Sequence, residues 1–248
     1  MRGVILAAVL AACTPADARP APGGHAPGYW CHCPDVPAGA PDVLLVVGHS
    51  WVAGSDGDDP QYSGRTLPPG VVWRQSGVLR TAWTSTPSIL PFVVDHLPRP
   101  SVVISRGVGS SDVDDWTATH WPAAAADVTA QGAGDPDAVV VWLGGNDASS
   151  PADVANFATK YPALLATIET AYPSAVLYLV QDARIDIDPG GLAPYLSDVR
   201  DVIAGEAGPG RVVVDAASET FTIQVSGHPL GGVGEGYDDV AHLLVDAW

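Results

Sequence analysis

Short apolar runs of four to six residues recur along the chain between residues 42 and 214. They are rich in Val, Leu and Ile and do not alternate with polar residues, which is typical of strands buried on both faces of a parallel sheet. The pattern therefore predicts five strands, at residues 42–47, 101–105, 138–143, 175–180 and 211–214.

Segments with apolar residues at helical spacing follow the later strands. The clearest begins at Pro151, a residue favoured in the first turn of a helix, and extends to about Ala171. Further helices are predicted at residues 123–131, 192–204 and 236–247. Because strands alternate with helices, we expect the α/β class: a three-layer α/β/α sandwich of the flavodoxin-like kind with a roughly five-stranded parallel sheet.

The charge balance narrows the classes of partner. The chain has 11 Lys and Arg against 28 Asp and Glu, a formal net charge of −17 at pH 7. Such a surface repels phosphate backbones and anionic lipid. We therefore expect no nucleic-acid partner, and small-molecule or polymeric partners that are neutral or cationic.

The first 13 residues have the character of an export signal. A charged start precedes a short apolar run that is too short to span a bilayer and that ends in Leu10-Ala11-Ala12-Cys13. This ending resembles a bacterial lipobox, whose cysteine is lipidated. The resemblance implies an exported protein, extracellular or lipid-anchored through Cys13 at the bacterial cell surface or in the periplasm. An ordinary signal peptide and a misplaced start codon remain the alternatives.

Residues 14–41 are dominated by Pro, Ala and Gly, which indicates a linker without regular structure. Cys31 and Cys33 lie in this linker and either pair or stay free. The tripeptide Cys31-His32-Cys33 offers too few ligands for structural zinc, so no metal is expected. The remaining residues, 42–248, contain all the predicted strands and helices and form the predicted folded domain.

Polar or glycine residues follow three of the predicted strands. Ser50 comes after the first, Gly107 after the second and Asn146 after the third. Ligands bind at the carboxyl ends of parallel strands, which makes the Ser50 hydroxyl a candidate nucleophile, with a helix N-cap as the alternative. Gly107 and Gly109 do not complete a dinucleotide fingerprint because Asp112 stands at the third glycine position, so no nucleotide cofactor is expected.

Four motifs in this order resemble those of the SGNH (GDSL-like) hydrolases, and the resemblance covers about residues 42–248. The motifs are Gly48-His49-Ser50, Arg106-Gly107-Val108-Gly109-Ser110-Ser111, Gly144-Gly145-Asn146-Asp147 and His228-Pro229. The short Gly-His-Ser-Trp motif, the tryptophan-rich loop after it and Gly145-Asn146-Asp147 are most similar to branches that remove acetyl groups from carbohydrates.

The resemblance implies a serine esterase without a cofactor or a metal. Its nucleophile is Ser50, its base is His228, and its oxyanion hole comprises the N–H groups of Ser50 and Gly107 and the side-chain amide of Asn146. A serine hydroxyl needs such a base, and the tetrahedral oxyanion needs such donors. The implied substrate is an O-acylated, chiefly O-acetylated, small molecule or polysaccharide.

The base has a competitor. His242 forms the family's Asp-x-x-His spacing with Asp239, but it lies inside the predicted closing helix, whereas His228 lies in a glycine-flanked loop. His228 is therefore the predicted base, although residue 225, where the family has the orienting aspartate, is Val225. That departure leaves two other readings open: a catalytically silent glycan-binding or surface structural module, and, with the same residues, an O-acyltransferase.

Overall fold

The computed structural model describes residues 41–54, 64–84, 88–97, 101–182, 184–185, 195–216, 220–221 and 237–248. All of them belong to one compact unit, Val36–Trp248.

The centre of this unit is a seven-stranded sheet in the order β3-β2-β4-β1-β5-β6-β8, in which every pairing except that of β2 with β3 is parallel. The short β7 and β9 pair with each other in a separate two-stranded parallel sheet. The strands are β1 (Val43–Gly48), β2 (Val71–Gln75), β3 (Val78–Arg80), β4 (Val102–Gly107), β5 (Ala138–Trp142), β6 (Val176–Val180), β7 (Arg184–Ile185), β8 (Arg211–Val214) and β9 (Thr220–Phe221).

Helices follow most of the strands of the large sheet. They are α1 (Ser50–Ala53), α2 (Ile89–His96), α3 (Val113–Asp115), α4 (Trp121–Gln131), α5 (Pro151–Ala171), α6 (Leu196–Gly205) and α7 (Tyr237–Asp246). A π-helical turn, Trp116–His120, joins α3 to α4, and a 3₁₀ turn, Gly145–Asp147, follows β5.

The large sheet is buried on both faces, as the uninterrupted apolar strands predict. In β1, Val43, Leu45 and Val47 join one core cluster, which also holds residues of α4, α5 and α6. Leu44 and Val46 join the opposite cluster, which holds residues of α1, α2 and α7. The alternation of side chains along β1 therefore divides the helices into two layers, and the predicted α/β/α sandwich is confirmed.

The five predicted strands correspond to β1, β4, β5, β6 and β8. Two strands of the large sheet were missed, β2 and β3, which form a hairpin at its edge, and so were the two-residue strands β7 and β9. Val78 and Leu79 of β3 are 54% and 52% exposed, so the hairpin lacks the long buried run that marks the central strands. The turn between β2 and β3 contains Ser76 and Gly77 at positive φ, a local signal for a hairpin.

The predicted helix 151–171 is confirmed residue for residue as α5. The expectation of a helix at 123–131 is confirmed as α4, which begins two residues earlier. Helix α2 was missed because Pro91 interrupts its sequence, yet Pro91 lies in the first turn, where its missing N–H costs no hydrogen bond. No helix among the described residues is long and apolar enough to cross a membrane.

Candidate active site

Ser50 lies where the central strand ends. β1 stops at Gly48, His49 is the N-cap of α1, and Ser50 is the first residue of that helix and is half-buried. Gly48 is required here because a Cβ would lie 2.4 Å from the carbonyl oxygen of Trp142. The sharp passage from strand to helix therefore presents the Ser50 hydroxyl at the carboxyl edge of the sheet.

The imidazole of His49 is buried and has contacts at both ring nitrogens. Nε2 lies 3.1 Å from Oδ1 of Asp182, and Nδ1 lies 3.4 Å from the backbone nitrogen of Trp51, whose N–H it accepts. Nδ1 is also 3.5 Å from Oγ of Ser50. From the sequence, His49 flanks the nucleophile and either lines the pocket or only fills space; the structure places it between a buried carboxylate and the candidate nucleophile.

Asp182 was missed by the sequence analysis. It follows β6, is 3% exposed, and accepts hydrogen bonds from Nε1 of Trp142 and from Nε2 of His49. A Cβ on Gly145 would lie 2.3 Å from its Oδ2, so the turn after β5 packs directly on this carboxylate. The signal that could have found Asp182 is its position at the carboxyl end of a predicted strand, the same rule that identified Ser50.

Gly107 is the last residue of β4, and the sheet register pairs it with Gly48. Its carbonyl accepts the N–H of Ser76 at 2.8 Å. A Cβ at this position would lie 2.0 Å from the backbone nitrogen of Ala53. The absence of a side chain at Gly107 therefore lets α1 pack against the end of β4, a structural requirement that holds whether or not its N–H acts on an oxyanion.

Asn146 lies in the 3₁₀ turn after β5 and is exposed. One N–H of its side-chain amide donates to the carbonyl oxygen of Ser111 at 2.9 Å. Ser111 follows Ser110, which has φ +57, a region that few residues other than glycine adopt. Asn146 thus ties the turn after β5 to the turn after β4, and its amide carries a second N–H that can donate to a ligand.

Asp147, the next residue, is buried, and its Oδ1 accepts the N–H of Val113 at 3.1 Å. Its Oδ2 has no hydrogen-bond partner in the described part of the chain. Burial, chiefly, raises the pKa of Asp147 to about 7; the negative charges of Asp112 and Asp114 add to this, while the Val113 hydrogen bond and His49 oppose it. A carboxyl group that is neutral at mildly acid pH therefore lies beside the site.

The predicted base, His228, lies outside the described residues, as do Val225 and Pro229. Its competitor His242 is exposed on α7, and its ring centroid is 3.9 Å from that of His96 on α2. This agrees with the expectation that a histidine on the closing helix points away from the sheet edge. No cluster of three or more metal-ligating side chains occurs among the described residues.

The structure brings Ser50, Gly107 and Asn146 to one edge of the sheet. The strands β4, β1 and β5 are neighbours, and their register places Gly48 beside both Gly107 and Trp142. Acyl transfer through a serine requires a hydroxyl nucleophile, a nearby imidazole and donors for the oxyanion. This edge of the sheet offers all three kinds of group: a serine, a buried histidine paired with a carboxylate, and the N–H groups of a glycine and an asparagine amide.

The chain matches the model of the GDSL-like Lipase/Acylhydrolase family over residues 46–224, which is more than half of its length. A search of curated proteins found no match.

Solved structures share the fold at low sequence identity. A protein from Arabidopsis thaliana aligns with a TM-score of 0.57 and 15% identity, over 83% of this chain and 95% of its own. The family 3 carbohydrate esterase of Clostridium thermocellum aligns with a TM-score of 0.54 and 15% identity, over 83% and 94%. A lipase/acylhydrolase from Enterococcus faecalis aligns with a TM-score of 0.51 and 17% identity, over 82% and 93%.

Proposed function

Because the chain belongs to the GDSL-like lipase/acylhydrolase family, whose general activity is ester hydrolysis, we propose that it is a serine esterase with Ser50 as nucleophile. The observation that supports this most directly is the contact of the Ser50 hydroxyl with the buried His49, which in turn contacts Asp182. A serine that only caps a helix or forms a turn would need neither His49 nor Asp182.

The proposed oxyanion hole comprises the N–H groups of Ser50 and Gly107 and the second amide N–H of Asn146. Support comes from the positions of these residues at the ends of three neighbouring strands. Each donor acts chiefly in the transition state, where the negative charge develops. His228 is the base that the resemblance implies, and that assignment stays a prediction.

The proposed substrates are O-acetyl esters of carbohydrate. Two features favour them: the Gly48-His49-Ser50-Trp51 motif resembles that of deacetylating branches of the family, and a carbohydrate esterase shares the fold. The net charge of −17 also suits a neutral polysaccharide better than an anionic lipid surface.

Two rival functions share the same residues. A silent glycan-binding module is favoured by one observation, Val225 in place of the family's aspartate. An acyltransferase would differ only in passing the acyl group to a sugar hydroxyl rather than to water.

The test compares the parent with Ser50→Ala on p-nitrophenyl acetate, p-nitrophenyl octanoate and acetylated xylan, with acetate release measured directly. We expect the parent to hydrolyse p-nitrophenyl acetate faster than p-nitrophenyl octanoate. We expect the kcat of Ser50→Ala to be lower by at least about 10³-fold. Equal turnover by both proteins would refute the assignment of Ser50 as the nucleophile. Binding of xylan without acetate release would favour the binding module, and acetate recovered on an added sugar would favour the transferase.

We also propose that the protein is exported and tethered through Cys13, on the strength of the lipobox-like residues 10–13, which lie outside the described part of the chain. In a bacterial host, the parent should partition with membranes and Cys13→Ser should move to the exported soluble fraction. Equal partitioning of the two forms would contradict the tether and leave the esterase proposal unaffected.

A further inference from the structure

His49 caps the short helix on which the proposed nucleophile lies. Its backbone is extended, and its carbonyl oxygen accepts the N–H groups of Val52 and Ala53 at 3.0 and 2.9 Å. Its side chain completes the cap, because Nδ1 accepts the backbone N–H of Trp51. Histidine is not one of the residue types preferred at an N-cap, which are Asn, Asp, Ser, Thr and Gly. The imidazole therefore needs a partner that makes Nδ1 an acceptor.

Asp182 supplies that partner. Its Oδ1 lies 3.1 Å from Nε2 of His49, and because a carboxylate oxygen only accepts, Nε2 donates. In that tautomer Nδ1 has a lone pair for the Trp51 N–H. The other tautomer would place a ring N–H against the backbone N–H and would take the His49 donor away from a buried carboxylate, which is costly. The N–H of Trp142 holds the same carboxylate oxygen in place.

The cap holds the backbone on both sides of Ser50. His49, the residue before it, donates its own N–H to the carbonyl oxygen of Trp142 at 3.2 Å, and Trp51, the residue after it, donates to the imidazole. The peptide between His49 and Ser50 carries the Ser50 N–H, which belongs to the proposed oxyanion hole. A misplacement of about 1 Å in a reacting group costs up to about 10²-fold in rate. The orientation of the Ser50 N–H and hydroxyl therefore depends on the cap.

The contact between Ser50 and the imidazole agrees with a structural role for the ring. Oγ of Ser50 lies 3.5 Å from Nδ1, at the outer limit of a hydrogen bond. The lone pair of Nδ1 already accepts the Trp51 N–H. The proton of the Ser50 hydroxyl thus needs another acceptor, which is the role that the resemblance implies for His228.

We propose that Asp182 and His49 are positioning residues: Asp182 sets the tautomer of His49, and the imidazole then caps α1 so that Ser50 is held in its reactive orientation. This role rests on the proposed esterase function. It assigns no proton transfer to His49 and leaves His228 as the predicted base.

Two substitutions of His49 separate the cap from the imidazole. His49→Ala removes the acceptor for the Trp51 N–H. His49→Asn replaces the ring by one of the most favourable capping side chains, whose amide oxygen can accept the same N–H. We expect His49→Ala to lower kcat on p-nitrophenyl acetate by about 10–10²-fold with little change in KM. We expect His49→Asn to restore kcat to within about fivefold of the parent.

A folded but inactive His49→Asn would overturn the proposal, because the imidazole itself would then be required. His49→Ala at the parental kcat would overturn it as well, since the cap would then be dispensable. Full activity of Ser50→Ala would instead refute the esterase function.

Asp182→Ala, made in the parent and in His49→Asn, tests whether Asp182 acts through His49. We expect at least about a tenfold loss of kcat in the parent background, where the imidazole loses its orienting acceptor. In the His49→Asn background we expect less than about a threefold further loss, because an asparagine has no tautomer to set. A loss of equal size in both backgrounds would overturn the proposal.

The tautomer can be measured in the parent protein, which covers the case in which these variants do not fold. In protein labelled with ¹⁵N-histidine, long-range ¹H–¹⁵N correlation spectra distinguish a protonated ring nitrogen from one with a lone pair. We expect the ring of His49 to carry its proton on Nε2 and a lone pair on Nδ1. A proton on Nδ1 would overturn the proposal.

Discussion

Asp147 should make folding stability depend on pH in a direction opposite to that of most aspartates. Its pKa is raised from 3.8 to about 7 in the folded state, so between those values the folded chain holds a proton that the unfolded chain releases. The contribution of Asp147 to stability is therefore highest below about pH 4, falls as pH rises through this window, and levels off above about pH 7. The two pKa values correspond to about 4 kcal/mol as an upper limit.

Asp147→Asn removes the charge and keeps an oxygen that can accept the Val113 N–H. The new amide N–H groups have no described partner at the Oδ2 position. This costs about 1–3 kcal/mol of the stability that removal of the buried charge provides. The net charge of −17 and its changes with pH affect parent and variant alike, so the difference between them isolates residue 147.

Urea unfolding followed by tryptophan fluorescence at pH 4, 5.5, 7 and 8 measures this difference. We expect the stability of Asp147→Asn relative to the parent to rise by about 2–4 kcal/mol from pH 4 to pH 8. Asp135→Asn, at an exposed site, is the matched control and should show no such trend. A relative stability of Asp147→Asn that is constant across the range would refute the burial argument.

Three further substitutions test the site. Asn146→Ala should lower kcat about 10²-fold with little change in KM, since its amide serves the transition state, and an unchanged kcat would reduce Asn146 to a turn residue. Gly145→Ala should lower kcat at least tenfold, because its Cβ would lie 2.3 Å from Oδ2 of Asp182 and would displace that carboxylate. Steady-state turnover at the parental rate would show that the position of Asp182 does not matter for activity. His242→Ala should leave kcat within twofold and change only the packing against His96, and an inactive but folded His242→Ala would contradict the assignment of His242 to the helix surface.

Strand ends explain how much of the site could be predicted from the sequence. The central strands are continuous apolar runs, so their ends, and with them Ser50, Gly107 and Asn146, were identifiable by position. The edge strand β3 escaped because it is half-exposed and only three residues long.

The position of Asp182 at a strand end could be predicted from the sequence, but its pairing with His49 could not. Its contact with His49 joins residues 133 positions apart, and nothing in the local sequence links them. Likewise, the raised pKa of Asp147 follows from burial, which depends on how the turn after β5 packs and not on the Gly-Gly-Asn-Asp motif itself.

Covalent labelling of the nucleophile tests the central claim most directly. The parent protein is incubated with a fluorophosphonate, digested, and analysed by mass spectrometry alongside Ser50→Ala. We predict a single phosphonylated site, Ser50, whose labelling proceeds in step with the loss of esterase activity, and no labelling of Ser50→Ala. An active parent that is inactivated without modification at Ser50, or labelled at another serine, would contradict the account.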